Sequence, residues 1–190
     1  MNKTKQRARV ICAFPGLGKS TFTKKYNGKD GLVILDSDSS DFSWVWNLNH
    51  TRKSNVRNLD FPNNYIQHIK DNLDSADIIF VSTHKEVVDE LLKTDIEFEI
   101  VIPNINRKEE LLKLYKDRGS DNEFINRMVE NWDKWLNEYL DMNIEIQLGH
   151  IVGCDNYRGL TSLYDDKFME DYLRDGDLIR IGFVVGEIHI

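Results

Sequence analysis

Ala8-Arg-Val-Ile-Cys-Ala-Phe-Pro-Gly-Leu-Gly-Lys-Ser20 is the stretch on which the reading of this chain turns. Ala8 to Phe14 is a short apolar run that stops at Pro15-Gly16, the length and punctuation of a buried strand. From Ala13 the residues keep the Walker A spacing G-x-x-x-x-G-K-[ST], with Ala13 standing where the first glycine is expected. In that device a glycine-rich turn aims successive backbone N–H groups at phosphate oxygens, and the helix that follows adds its positive end. Pro15, Gly16, Leu17, Gly18, Lys19, Ser20 and Thr21 are therefore candidates for holding nucleotide phosphates. Lys19 would neutralise the β- and γ-phosphates and Ser20 would ligate Mg²⁺, with Thr21 to Tyr26 opening the helix.

Working outward, Leu32 to Leu35, Asp77 to Val81 and Phe98 to Ile102 are further apolar runs, each followed by polar residues and a helical pattern. That alternation predicts an α/β fold with a parallel sheet. Phe61, Tyr65, Ile66, Ile69 and Leu73 recur at helical spacing, as do Val87, Val88, Leu91 and Leu92. The strongest helix spans 121–141, where Phe124, Ile125, Met128, Val129, Trp132, Trp135, Leu136, Tyr139 and Leu140 form one apolar stripe opened by Asp121. Such a stripe reads as core, not as a surface for stacking bases. From Ile144 the pattern changes to short β-like pieces, Ile144 to Leu148 and Leu178 to Ile190, around a middle containing Gly and Asp. The last piece reads as a hairpin or edge strand, completing the sheet or forming a subunit interface.

The chain has 190 residues, 41% hydrophobic and 30% charged, which suits one domain with a sizeable core. Its net charge of −7 argues against a general DNA coat or a membrane-surface binder. Residues 1–30 carry +7 and the rest −14, so a polyanion site should involve the N-terminal region and a polynucleotide partner is disfavoured. Cys12 and Cys154 are too few for a disulfide framework and lack zinc spacing, and the five histidines show no metal-ligand spacing. The apolar stretch after Met1 to Arg9 is far short of a signal peptide or a membrane span, so the expectation is a cytoplasmic protein with no membrane contact.

Pro15-Gly16-x-Gly18-Lys19-Ser20-Thr21 near the start of a chain of this size resembles the P-loop nucleoside monophosphate kinases, the adenylate-kinase-like family, and especially the small divergent nucleotide kinases of bacteriophages. The resemblance spans residues 8–141 of a single domain over 1–190, with 144–190 unmatched. It implies a P-loop NTPase fold with a sheet of about five parallel strands and helices on both faces. It also implies ATP and Mg²⁺ as donor and cofactor, and a small-molecule nucleotide as acceptor in the cytoplasm, the host's if phage-encoded. A monophosphate-binding helical segment after the second strand would fall at 42–75, where Trp44, Arg52, Arg57 and Tyr65 are candidate substrate-binding residues. There an aromatic would stack on a base and an arginine would pair with the acceptor phosphate, while Trp44 and Trp46 alternatively pack in the core. An arginine-bearing lid would fall at 106–122. Arg118 matches the second arginine of the family's Arg-x-x-x-Arg pattern, Leu114 takes the place of the first, and Arg107 or Arg127 would compensate.

Asp36-Ser-Asp-Ser-Ser-Asp41 follows the second predicted strand, at the carboxyl end of the sheet where ligands bind in open α/β folds. Asp36 and Asp38 would hold Mg²⁺-bound water or accept a proton from an attacking hydroxyl, or else part of the cluster caps a helix. Asp77 comes too early in its strand for a strand-end carboxylate. Ser82, Thr83 and His84 occupy that end, as phosphate or metal-water ligands or as the cap of the next helix. The leading expectation is transfer of the ATP γ-phosphoryl group to a nucleoside or deoxynucleoside monophosphate, with Lys19, Ser20, Arg118 and Asp36 or Asp38 carrying it. An alternative acceptor is a hydroxyl of a nucleoside, small metabolite or polynucleotide 5′ end, with Asp36 or Asp38 as base. A third reading is a nucleotide-binding module without catalysis.

Overall fold

The computed structural model describes residues 7–140 and 149–153. β1 (Arg9–Ala13), β2 (Ile34–Asp36), β5 (Ile78–Val81) and β6 (Phe98–Ile102) run parallel, and β7 (Gly149–Gly153) joins them outside β6, giving the order β2-β5-β1-β6-β7. β3 (Trp44–Trp46) and β4 (Lys53–Arg57) form a separate antiparallel pair between β2 and β5 in the chain. Helices α1 (Lys19–Tyr26), α2 (Ser40–Ser43), α3 (Asn63–Asn72), α4 (Lys85–Leu91), α5 (Lys108–Asp117) and α6 (Asn122–Leu140) complete the chain up to Leu140. The result is an α/β fold, as the alternation of apolar runs and helical patterns predicts.

Strands buried on both faces read as continuous apolar runs, which is why β1, β5 and β6 stand out in the sequence. All four residues of β5 are buried, as are four of the five in β1. Cys12 lies opposite Val81 and Ile100, and Ala13 opposite Val101, so β1, β5 and β6 end nearly level. The segments leaving their carboxyl ends, Phe14 onward and Ser82 onward, therefore emerge side by side. At the other end, the Asp77 carboxylate accepts the Val33 N–H at 2.8 Å and an Arg7 guanidinium at 2.9 Å. Those bonds, the Val33 N–H first, hold its carboxyl below the usual carboxylate range. Asp77 thus anchors the amino edge of the sheet, away from the strand ends.

α6 begins where its cap does, with Asp121 Oδ1 accepting the Phe124 N–H at 2.7 Å. Trp132 is the largest fully buried side chain; its indole N–H donates to the Ile105 carbonyl at 2.8 Å and it meets Phe14 edge-on at 5.6 Å. Trp132→Ala removes both contacts and opens a cavity behind the loop that starts at Phe14. It is expected to lower unfolding free energy by about 3–5 kcal/mol, read as a fall in the denaturant midpoint at unchanged slope.

Several expectations differ. The stretch 42–75 is not uniformly helical: α3 occupies its second half, but Trp44 to Arg57 fold as the β3–β4 pair. Trp44 and Trp46 point to one side of β3 and are covered by cations of β4, Arg57 over Trp44 at 5.5 Å and Lys53 over Trp46 at 5.4 Å. They are half-buried, and neither is part of the main core. The β pieces expected at Ile144 to Leu148 and Leu178 to Ile190, and any interface through them, lie outside the described residues. β7 falls in the stretch read as a Gly- and Asp-containing middle. Among the described residues no helix is long and apolar enough to cross a membrane.

Candidate functional site

The turn between β1 and α1 is built on two left-handed glycines, Gly16 at φ 87° and Gly18 at φ 84°. Gly18 is also the residue that opens α1, so the first N–H groups of that helix face the turn. Leu17, fully buried, pins the turn to the core, while Ser20 is exposed and Thr21 half-buried at the helix start. Lys19 folds back across the turn, its Nζ donating to the Ala13 carbonyl at 2.5 Å and the Phe14 carbonyl at 3.3 Å. Burial pushes its ammonium down to about 8, opposed chiefly by the Asp36 carboxylate and then by Cys12 and Asp38, with Arg118 adding to the depression. Lys19, Asp36, Asp38 and Arg118 are thus brought within one electrostatic neighbourhood.

Within Asp36 to Asp41 the side chains divide by role. Ser37 and Ser39 are buried, with Ser37 Oγ bonded to His68 Nε2 at 2.8 Å and Ser39 Oγ to His84 Nδ1 at 3.3 Å. Asp36 and Asp38 stay exposed, and Asp38 Oδ1 also accepts the Ser40 N–H at 2.8 Å, which fixes its carboxylate at the start of α2. Mg²⁺ that travels with nucleotide phosphates needs one or two carboxylates, hydroxyls and waters, not a protein cage. The donor set of Ser20 and Asp38 fits that need. Among the described residues no group of three or more His, Cys, Asp or Glu could hold a metal by itself.

The segment expected to bear arginines is anchored on the turn. Tyr115 of α5 is fully buried; its hydroxyl donates to the Pro15 carbonyl at 2.7 Å, and its ring fills the space beside Gly16. Burial pushes this phenol up, so it remains a donor. Arg118 lies over the same ring, Cζ 4.9 Å from its centre, with Nε donating to Ser120 Oγ at 3.3 Å. Arg107, at the cap position before α5, is in contrast tied to Glu110 in the first turn of that helix and does not line the cavity described next.

Beside the turn opens a cavity of about 590 Å³, walled by Phe14 and Pro15, by Thr83, His84, Lys85, Glu86 and Asp89 after β5, by Phe124, Arg127, Met128, Trp135 and Tyr139 of α6, and by Arg57 of β4. Of the residues expected to bind substrate, Arg57 and Arg127 are in its wall. Arg57 is ion-paired with Glu86 and packs on Phe61 at 4.8 Å, and Arg127 pairs loosely with Glu123 at 3.5 Å. Arg52 is exposed near the β3–β4 turn, and Trp44 sits beneath Arg57, so neither lines the cavity. Tyr65 is a correction: it is completely buried, its hydroxyl donating to the Ser37 carbonyl at 2.6 Å, so its ring cannot face a base.

The strip after β5 also differs from the helix-cap reading. α4 starts at Lys85 with His84 at its cap position and no side-chain cap bond, so Ser82 and Thr83 are not caps. Among the described residues Ser82 Oγ is buried without a hydrogen-bond partner, and the Thr83 carbonyl accepts the Tyr139 hydroxyl. Burial lowers the His84 imidazole below its ordinary value, with Glu86 the main opposing charge. The aromatic stripe of α6 is likewise split. Ile125, Met128, Trp132, Leu136 and Tyr139 are buried, but Phe124 and Trp135 are half-buried in the cavity wall and Val129 is exposed. Phe124, Trp135, Lys85, Glu86 and Asp89 carry no motif that would have placed them there. Compared with the models of known protein families and with curated proteins, the chain matches none.

Proposed function

We propose that this chain is a P-loop kinase that transfers the γ-phosphoryl group of ATP to a nucleoside or deoxynucleoside monophosphate. The observation that carries the reading is the Lys19-spanned glycine turn opening beside a cavity that combines aromatic walls with arginines. Such a cavity suits a flat base and an anionic phosphate together. An acceptor phosphate oxygen is already anionic, so it attacks the γ-phosphorus without a base; the bond to the β–γ bridging oxygen breaks and ADP leaves.

In this reading the turn's N–H groups and Lys19 hold the donor phosphates, and Lys19 leaves the Ala13 and Phe14 carbonyls to do so. Arg118 meets the charge that spreads over the equatorial oxygens in the transition state. Arg57 and Arg127 orient the acceptor phosphate, while Phe124 and Trp135 exclude water and flank the base. Ser20 and Asp38 would hold Mg²⁺, which would supply positive charge to offset that of the donor phosphates. The test is ADP release from ATP with Mg²⁺ against the common ribo- and deoxynucleoside monophosphates, with Lys19→Ala as the blank. Release stimulated by one or a few of them is expected; none with any monophosphate would overturn the reading.

A second reading rests on the exposed Asp36 and Asp38 beside Lys19. A hydroxyl acceptor needs a base, and either carboxylate would supply one. Asp38→Asn then abolishes release with nucleosides or a 5′-hydroxyl oligonucleotide, whereas the leading reading expects monophosphate turnover to persist at reduced rate. ATP binding without turnover on any acceptor would leave a binding module.

A further inference from the structure

We propose that Tyr115 is a positioning residue that fastens the arginine-bearing end of α5 to the phosphate turn, so that Arg118 is a pre-set cation of the turn and not a group carried in by a hinged segment. The inference rests on the reading of that turn as a nucleotide-phosphate site. The geometry is continuous from one element to the other. Tyr115 Oη is bonded to the Pro15 carbonyl at 2.7 Å, and its Cε1 stands 2.7 Å from where a Gly16 side chain would begin. A ring packed that closely, with no exposed surface, leaves the turn and α5 no room to slide past each other.

The same residue fixes Arg118 twice. α5 ends with the Ser120 N–H on the Tyr115 carbonyl at 2.9 Å and the Gly119 N–H on the Lys116 carbonyl at 3.0 Å, Gly119 being left-handed at φ 77°. This double closure holds the Arg118 Cα in a set place relative to Tyr115. The guanidinium then lies over the Tyr115 ring at 4.9 Å, a cation on an aromatic face. Arg57, Arg107 and Arg127 are each paired with a carboxylate, whereas among the described residues Arg118 is held by a ring and a hydroxyl. Its charge is left for an anion, and it already lowers the proton affinity of Lys19. Phe124 continues the chain of contact, meeting Tyr115 edge-on at 5.1 Å and lining the cavity.

The experiment is a double-mutant cycle on kcat and on the KM for ATP, using Tyr115→Phe, Arg118→Ala and the pair, with ATP affinity of the native protein measured separately by equilibrium titration. Arg118→Ala is expected to lower kcat about a hundredfold with KM for ATP changed less than about threefold. Tyr115→Phe, which keeps the ring and loses the bond to Pro15, is expected to lower kcat about tenfold alone and less than about twofold when Arg118 is already alanine. Additive losses would mean that Tyr115 serves the fold only, and would overturn the inference. Arg118→Lys keeps the charge but not the planar stack. It reads the same contact if Tyr115→Phe does not fold: about a tenfold loss is expected, and full activity would overturn the proposal. Failure of the native protein to bind or turn over ATP would sink the phosphate reading itself, a different result from binding and turnover with additive losses.

Discussion

Lys19→Met is expected to lower phosphoryl transfer by at least about a thousandfold while leaving the melting temperature of the nucleotide-free protein unchanged or raised. The two effects have one origin. In the free protein the ammonium is pressed against the Ala13 and Phe14 carbonyls, and burial brings its pKa down to about 8 from the ordinary lysine value of 10.5. Between those values the unfolded chain holds more protons than the native one, so this group's contribution to stability rises with pH through that window and is least favourable below it. Methionine keeps the length and removes the charge. A bound triphosphate reverses the balance, since a lysine facing anionic oxygens stays protonated. If the turn takes ATP as proposed, the nucleotide would meet a ready cation below about pH 8; above it binding would have to take up a proton, and the Kd should rise by up to tenfold per pH unit. Calorimetry in buffers of different ionisation heat reads that uptake directly. A Kd flat from about pH 7 to about pH 9.5, or a Met variant that loses stability along with activity, would contradict this account of Lys19.

The parts of this fold legible in the sequence are those whose surroundings are uniform. β1, β5 and β6 are covered on both faces, so apart from the paired Arg9 and Glu99 their side chains are apolar and the run announces itself; β6 is found where Phe98 to Ile102 predicts it. β2 is displaced toward Asp36, because the turn through Gly31 and the bond from the Val33 N–H to Asp77 take up the residues that begin the apolar run. The β3–β4 pair was not legible, since it lies outside the core and is held by cations over tryptophans, contacts that leave no hydrophobic period. Leu48 and Leu59, almost fully exposed, even invite the wrong face.

At the site, local geometry was legible and distant geometry was not. Gly16, Gly18 and Lys19 are neighbours in the chain, and their conformations follow from their own chemistry. Phe124 and Trp135 have the spacing of core residues because a helix uses the same stripe to face a core and to wall a cavity beside it. Periodicity reports apolar surroundings, not whether the space beyond is filled. Tyr65 and Tyr115 were indistinguishable as sequence: one hydroxyl ties β2's exit to the core and the other ties α5 to the β1–α1 turn, 100 residues away.

Gly16→Ala is the second large effect expected. At φ 87° a side chain costs about 1–2 kcal/mol in backbone strain alone. The new methyl would also lie 2.7 Å from Tyr115 Cε1 and 3.4 Å from Cζ, atoms of a buried ring that has nowhere to go. Overpacking of that kind adds about 1–3 kcal/mol. Gly119 supplies the control: it too is left-handed, at φ 77°, but among the described residues nothing lies within 4 Å of its missing side chain, so Gly119→Ala bears the strain without the collision. Unfolding should therefore show Gly16→Ala the more destabilised of the two by the overpacking alone. Combining Gly16→Ala with Tyr115→Leu should cost less than the separate losses together, because the shorter side chain removes the collision. ATP affinity carries a sharper signature. The turn relieves the collision by moving the Pro15–Gly16 peptide, and a displacement of about 1 Å there is enough to weaken phosphate binding about a hundredfold. Gly119→Ala should leave that affinity within about threefold, because the turn itself is untouched. Equal losses in the two variants would mean that the Tyr115 ring is not what sets the turn.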